Sequence, residues 1–182
     1  MIADGAHFDA LAADLDQAVG AMSAQFERDP SLWPRGQPGK WTAGQHADHL
    51  ALGLADTADA FERRRAELRA GTLGPVPRRG ILHRLWVGLV IGRGCLPRGG
   101  RTPRRLEAGP GPERPATLAR LARGVARHRA LGAGLSAEER DRLWAPNPFL
   151  PRWHYTLPEI VRIHAVHVRH HARLIAEIAA AG

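Results

Sequence analysis

Residues 157–178 read LPEIVRIHAVHVRHHARLIAEI, and one series within them decides the architecture. Leu157, Ile160, His164, His167, His171, Leu174 and Ile178 follow one another by alternating steps of three and four. That spacing returns to one side of an α-helix at every turn, so the series predicts a stripe facing a bundle interior. Three consecutive stripe positions are histidine. His170 falls on another side and is expected in solvent. The helix should begin at Thr156, with Pro158 and Glu159 in its first turn, and run to about residue 180.

Working outward, helical spacing recurs. Phe8, Leu11, Leu15, Val19, Met22 and Phe26 mark a first helix over 6–28, which RDPSLWPRGQPGK breaks with prolines and glycines. A second helix follows Thr42, a suitable N-cap, and ends near Gly71. Residues 71–112 are rich in glycine and proline, interrupted by the apolar ILHRLWVGLVI. They predict a long irregular connection holding one short helix. A third helix spans about 115–131, with Leu118, Leu121, Val125 and His128 on one side. Ser136 with Glu139 three residues later is a capping-box pattern for a short turn of helix. WAPNPFLPRWHY, 144–155, reads as an irregular crossing. No segment shows sustained strand alternation. The expectation is all-α: a single domain over 1–182, an antiparallel four-helix bundle with a long irregular connection between helices two and three.

Composition narrows the function. One cysteine, Cys95, excludes an internal disulfide and any multi-cysteine zinc site. No nucleophile elbow, P-loop or dinucleotide fingerprint is present. The N-terminus lacks a signal pattern and no apolar run is long enough to cross a bilayer as a helix, so the expected location is the cytoplasm. The net charge of +8 is local: eight arginines and no acid lie between Arg78 and Arg105. Outside them, 18 basic residues balance 18 acidic ones, counting 26 less those eight. The segment is read as a solvated loop, and nucleic-acid binding is not expected. The alternative is a binding module that uses 78–105 to grip a polyanion or partner protein. ILHRLWVGLVI is read as lying against a membrane surface or a partner subunit. Subunit burial in a homodimer is favoured because bundles of this size often dimerise. Trp33, Trp41, Trp144 and Trp153 are expected to pack helix ends.

The histidines carry the chemistry. Each imidazole buried without a partner costs about 1–3 kcal/mol, and a metal ion removes that cost by taking a lone pair from each ligand. His167 and His171, at i and i+4, present two ring nitrogens to one ion. His164 is one turn too far or supports the ligands. A third ligand is expected from HADH on helix two. Leu50, Leu54, Phe61 and Leu68 define that helix's apolar face, which His46 approaches more closely than His49, so periodicity leans towards His46.

GKWTAGQHADHL resembles the start of helix two in the DinB/YfiT-like four-helix-bundle proteins, with a His-Leu eight residues after the Trp. PNPFLPRWHYTLPEIVRIHAVHVRHHARLIAEI is similar to the crossing and H-x-x-x-H helix of the same family. The resemblance implies a bundle whose single metal is held by His49, His167 and His171. It departs at Asn147, where the family often has histidine, at the missing glycine after Pro148-Phe149, and at Gln45, often glutamate. Three imidazoles without a fourth protein ligand describe an open site. They suit a divalent Zn, Ni, Fe or Mn ion without choosing among them. The family implies a metal-dependent enzyme of small-molecule chemistry, of transferase, isomerase or hydrolase type, with a low-molecular-weight thiol as cosubstrate. No other catalytic residue is singled out.

Overall fold

The computed structural model describes residues 3–94, 96 and 102–181; Cys95, Arg98 and Arg101 lie outside them. In chain order the elements are α1 (Ala3–Arg28), a 3-10 turn (Pro30–Leu32), α2 (Ala43–Arg69) and α3 (Ile81–Val87). A π-helical turn (Gly88–Gly92) and a 3-10 turn (Arg104–Leu106) precede α4 (Arg114–Gly132) and α5 (Ala137–Arg142). The strands β1 (Trp144–Pro146) and β2 (His154–Thr156) lead into α6 (Leu157–Ala180).

The helices begin where local chemistry starts them. Thr42, Ser136 and Thr156 each head a capping box, with Gln45, Glu139 and Glu159 returning a side-chain oxygen to the cap's own N–H. On α1, all six residues of the predicted stripe, from Phe8 to Phe26, are buried. On α6, Leu157, Ile160, His164 and His171 are buried, but near the C-terminus Ile175 replaces Leu174 as the fully buried residue. A straight helix turns every 3.6 residues, so a strict 3.5 series drifts off the core over five turns.

The expected all-α bundle is present. α1 packs on α6 and α4, and α2 packs on α4 and α6, which leaves α1 and α2 on the diagonal. The directions are less simple than an all-antiparallel arrangement. Asp48 meets Thr117, Thr57 meets His128 and Arg65 meets the Ala130 carbonyl, so α2 and α4 run parallel. α1 opposes α4, with Phe8 against Gly132 and the Phe26 carbonyl accepting from Arg114. α6 opposes α2, with His171 beside His46 and His164 beside Thr57. The long connection causes this. A helix of 27 residues is about 40 Å long, and a connection of this length can carry the chain back along it before α4 starts. α2 and α4 approach closely because Gly124 has no side chain: a Cβ there would sit 2.7 Å from the Leu54 Cβ.

Two segments depart from the sequence reading. The crossing at 144–155 is a hairpin, with β1 and β2 paired antiparallel and Ala145 opposite Tyr155. Asn147 closes its tip: its Oδ1 accepts from the N–H of Phe149 and Leu150, and its Nδ2 donates to the Tyr155 hydroxyl. The connection is also more than a solvated loop. Leu106 is fully buried, Arg105 donates to Asp56 and to the Pro148 carbonyl, and Arg79 forms a two-pronged pair with Glu159 at 2.6 and 2.5 Å.

Candidate metal centre

The site is built at the N-terminal end of α2. The chain before α2 folds onto its first turn: Ala43 N–H reaches the Arg35 carbonyl and Gly44 N–H the Trp33 carbonyl. The Trp33 ring lies over Gly44 so closely that a Cβ there would come within 2.6 Å of it. Its indole N–H is tied to the Pro112 carbonyl at 2.7 Å. With the helix start fixed this way, His46 and His49 are presented to α6.

The structure brings His49, His167 and His171 together, one ring nitrogen from each lying within 4.8 Å of the others. The His167 Nε2 is 3.4 Å from the His49 Nε2 and 3.0 Å from the His171 Nε2. On its far side the His49 Nδ1 sits 2.8 Å from the Leu106 carbonyl. A carbonyl only accepts, so this Nδ1 carries the proton and the His49 Nε2 bears a lone pair. The His171 Nδ1 is 2.8 Å from the His46 Nδ1. When the His171 proton is on Nδ1 and given to His46, its Nε2 also faces the centre as a lone pair.

The environment keeps these rings neutral. Burial pushes His167 down to about 3, with His49 adding to the effect, and burial pushes His46 down to about 4. His171 is driven far below its ordinary value, again mainly by burial. His49 is lowered by burial against the opposing pull of the Leu106 carbonyl and Asp48. Neutral imidazoles are the metal-competent form.

Of the remaining predicted positions, His49 is the more deeply buried of the HADH pair at 3% exposure, and His46 stays partly exposed. The helical wheel misjudges them because the first turns of α2 are covered on several sides, so no single apolar face exists there. His170 is not in solvent: it is half-buried, its ring edge-on to His171 at 5.4 Å. His164 is drawn away from the trio. Its Nε2 lies 2.8 Å from the Thr57 Oγ1, beside the His128 Nε2 at 3.2 Å. Trp41 does more than pack a helix end, since its ring lies 5.0 Å from His49, 5.5 Å from His46 and stacked on His171 at 6.5 Å. Gln45 is committed to the helix cap through the Thr42 N–H.

Sequence reasoning missed two supports. His46, as the partner of His171, was detectable as the first histidine of HADH. Leu106 was not, because a backbone carbonyl supplied by a loop leaves no side-chain signature.

The fold and this cluster define an all-α bundle carrying a three-histidine centre between two of its helices. The family model of the DinB superfamily matches residues 7–175, and the chain belongs to that superfamily, which is known for metal binding. No curated protein and no solved structure matches the chain.

Proposed function

We propose that the protein is a metal-dependent enzyme acting on small molecules, with one divalent ion held by the Nε2 atoms of His49, His167 and His171. One observation carries this reading: three ring nitrogens converge with His167 in the middle. A proton between His167 and one neighbour satisfies one contact and leaves the other facing lone pair to lone pair. A cation satisfies all three at once. The donor set is nitrogen alone, which accepts Zn, Ni, Fe or Mn.

A divalent ion held there supplies a Lewis-acid centre whose open positions take water, a substrate oxygen or a thiolate. The chain's own residues do the rest. The Leu106 carbonyl and His46 fix the ring orientations of His49 and His171. Trp41 walls off one side and limits water at the cluster. We read the protein as a cytoplasmic enzyme of transferase, isomerase or hydrolase type, with a low-molecular-weight thiol as cosubstrate.

The first test is metal analysis of protein purified without a polyhistidine tag, alongside single alanine variants of the three ligands. One equivalent in the wild type, lost in each variant, supports the centre; a metal-free wild type that also takes up none on reconstitution ends it. For the thiol, a cobalt-substituted protein titrated with a small thiol should develop a sulfur-to-cobalt charge-transfer band. An unchanged spectrum would remove the cosubstrate and leave the centre standing.

A further inference from the structure

The histidine centre makes no use of α3 and the π turn after it. On one side this short helix is tightly held. His83 is buried, donates from Nε2 to the His154 carbonyl at 2.9 Å and stacks on Trp153 at 5.2 Å; Trp86 donates to the Tyr155 hydroxyl at 3.0 Å. The other side carries large aliphatics in water: Ile81 is 77% exposed, Leu82 75%, Leu85 65% and Leu89 43%. Ile81, Leu85 and Leu89 follow at steps of four, with Leu82 beside them, so they form one ridge. A contiguous aliphatic ridge fixed in place from behind marks an interaction surface.

The charge around the ridge selects the partner. Arg78, Arg84 and Arg93 are exposed, and there is no acidic residue anywhere in 78–105. Past Leu89 the chain runs into Gly92–Gly94, which closes one wall of an open cleft of about 570 Å³ between α1 and α6. Three arginines line this cleft, Arg93, Arg162 and Arg169, against one acid, Asp14. Arg169 is spent on both carboxylate oxygens of Asp14, which leaves Arg93 and Arg162 as surplus positive charge. A second copy meeting this face about a two-fold axis would set arginines against arginines. A protruding aliphatic ridge also lacks the groove or aromatic anchors by which protein partners usually bind. An anionic lipid surface meets both features at once, taking aliphatics at the acyl boundary and arginines at the phosphates.

We propose that α3 and the turn after it form a peripheral docking site for anionic membranes. Ile81, Leu82, Leu85 and Leu89 enter the headgroup–acyl boundary. Arg78, Arg84 and Arg93 pair with lipid phosphates, and the cleft walled by Arg93 and Arg162 receives a phosphate headgroup. Among the described residues no helix is long and apolar enough to cross a membrane, so the protein lies on the surface.

The test uses the full chain and sedimentation with vesicles of phosphatidylcholine, with and without phosphatidylglycerol. Binding is expected to the anionic vesicles alone, weakening as salt rises. The double variant Leu82→Gln/Leu85→Gln changes only exposed side chains, so it should keep its helical circular dichroism and lose about tenfold or more in binding. Arg84→Gln/Arg93→Gln should bind more weakly and with a shallower salt dependence, and an unchanged salt dependence overturns the role of the arginines. Wild type that binds neither vesicle overturns the proposal, as does a double leucine variant that binds as well as wild type. Sedimentation velocity separates the remaining case. A wild-type dimer made monomeric by Leu82→Gln/Leu85→Gln, with no vesicle binding, means a second copy covers this face. None of these outcomes depends on the metal.

Discussion

Two groups of buried histidines sit about one turn apart along α6, and they differ in what they face. In the middle of the bundle, His164 and His128 meet on the Thr57 hydroxyl, and the His128 Nδ1 donates to the Gly124 carbonyl at 2.8 Å. Oxygen partners complete that group. Towards the α2 N-terminus, His49, His167 and His171 turn nitrogen to nitrogen, with their oxygen and imidazole partners behind them. The same residue type is structural where its polar atoms close on protein oxygens. It is a ligand candidate where they converge on one another.

The comparison breaks most readily at its most loaded point. His167→Ala should lower metal occupancy by more than about tenfold, since the middle nitrogen of the trio is gone. The matching change in the other group, His164→Ala, should leave one equivalent bound. Metal analysis of both variants checks this, and equal loss in the two would erase the distinction between the groups.

Acid comes next. Burial holds His128 near 4 in the native state, against an ordinary value of 6.5. Below pH 6.5 the unfolded chain binds a proton that the native state refuses, so its contribution to stability falls with pH. The loss is on the order of 3 kcal/mol by about pH 4. Urea midpoints of metal-free protein between pH 7.5 and 4.5 should show this fall, and the slope should be smaller in His128→Asn.

Thr57→Val keeps the shape and removes the shared hydroxyl, leaving two buried imidazole nitrogens without their partner. The expected cost is about 2 kcal/mol, read as a lower urea midpoint, with metal content unchanged. His46→Ala should act on the other group, and more gently than loss of a ligand. It frees the His171 Nδ1 and should weaken metal binding about tenfold while one equivalent still binds at saturation. A chelator competition titration measures it. The smallest effect belongs to Arg105→Gln. Its exposed pair with Asp56 is worth less than about 1 kcal/mol, and the melting temperature should barely move.

Local rules made much of this protein readable. The caps at Thr42, Ser136 and Thr156 depend on residues three positions apart, and the stripes of α1 and α6 on the period of one helix. The pair His167 and His171 needs only the geometry of one turn. Interactions confined to a few neighbouring residues are written in order along the chain, and that is why they can be read there.

What crosses the bundle is not written that way. The parallel course of α2 and α4 depends on a connection long enough to carry the chain back along α2 before α4 starts. The choice between His46 and His49 as the more buried of the pair depends on which elements cover the first turns of α2. The proton on His49 is placed by the carbonyl of Leu106, 57 residues away. The sequence alone determined the helices, their caps and the histidines available to a metal. Tertiary structure decided which of those histidines face one another and which are satisfied by oxygen. Convergence of groups from α2, α6 and the connection is a property of their packing, and no local pattern encodes it.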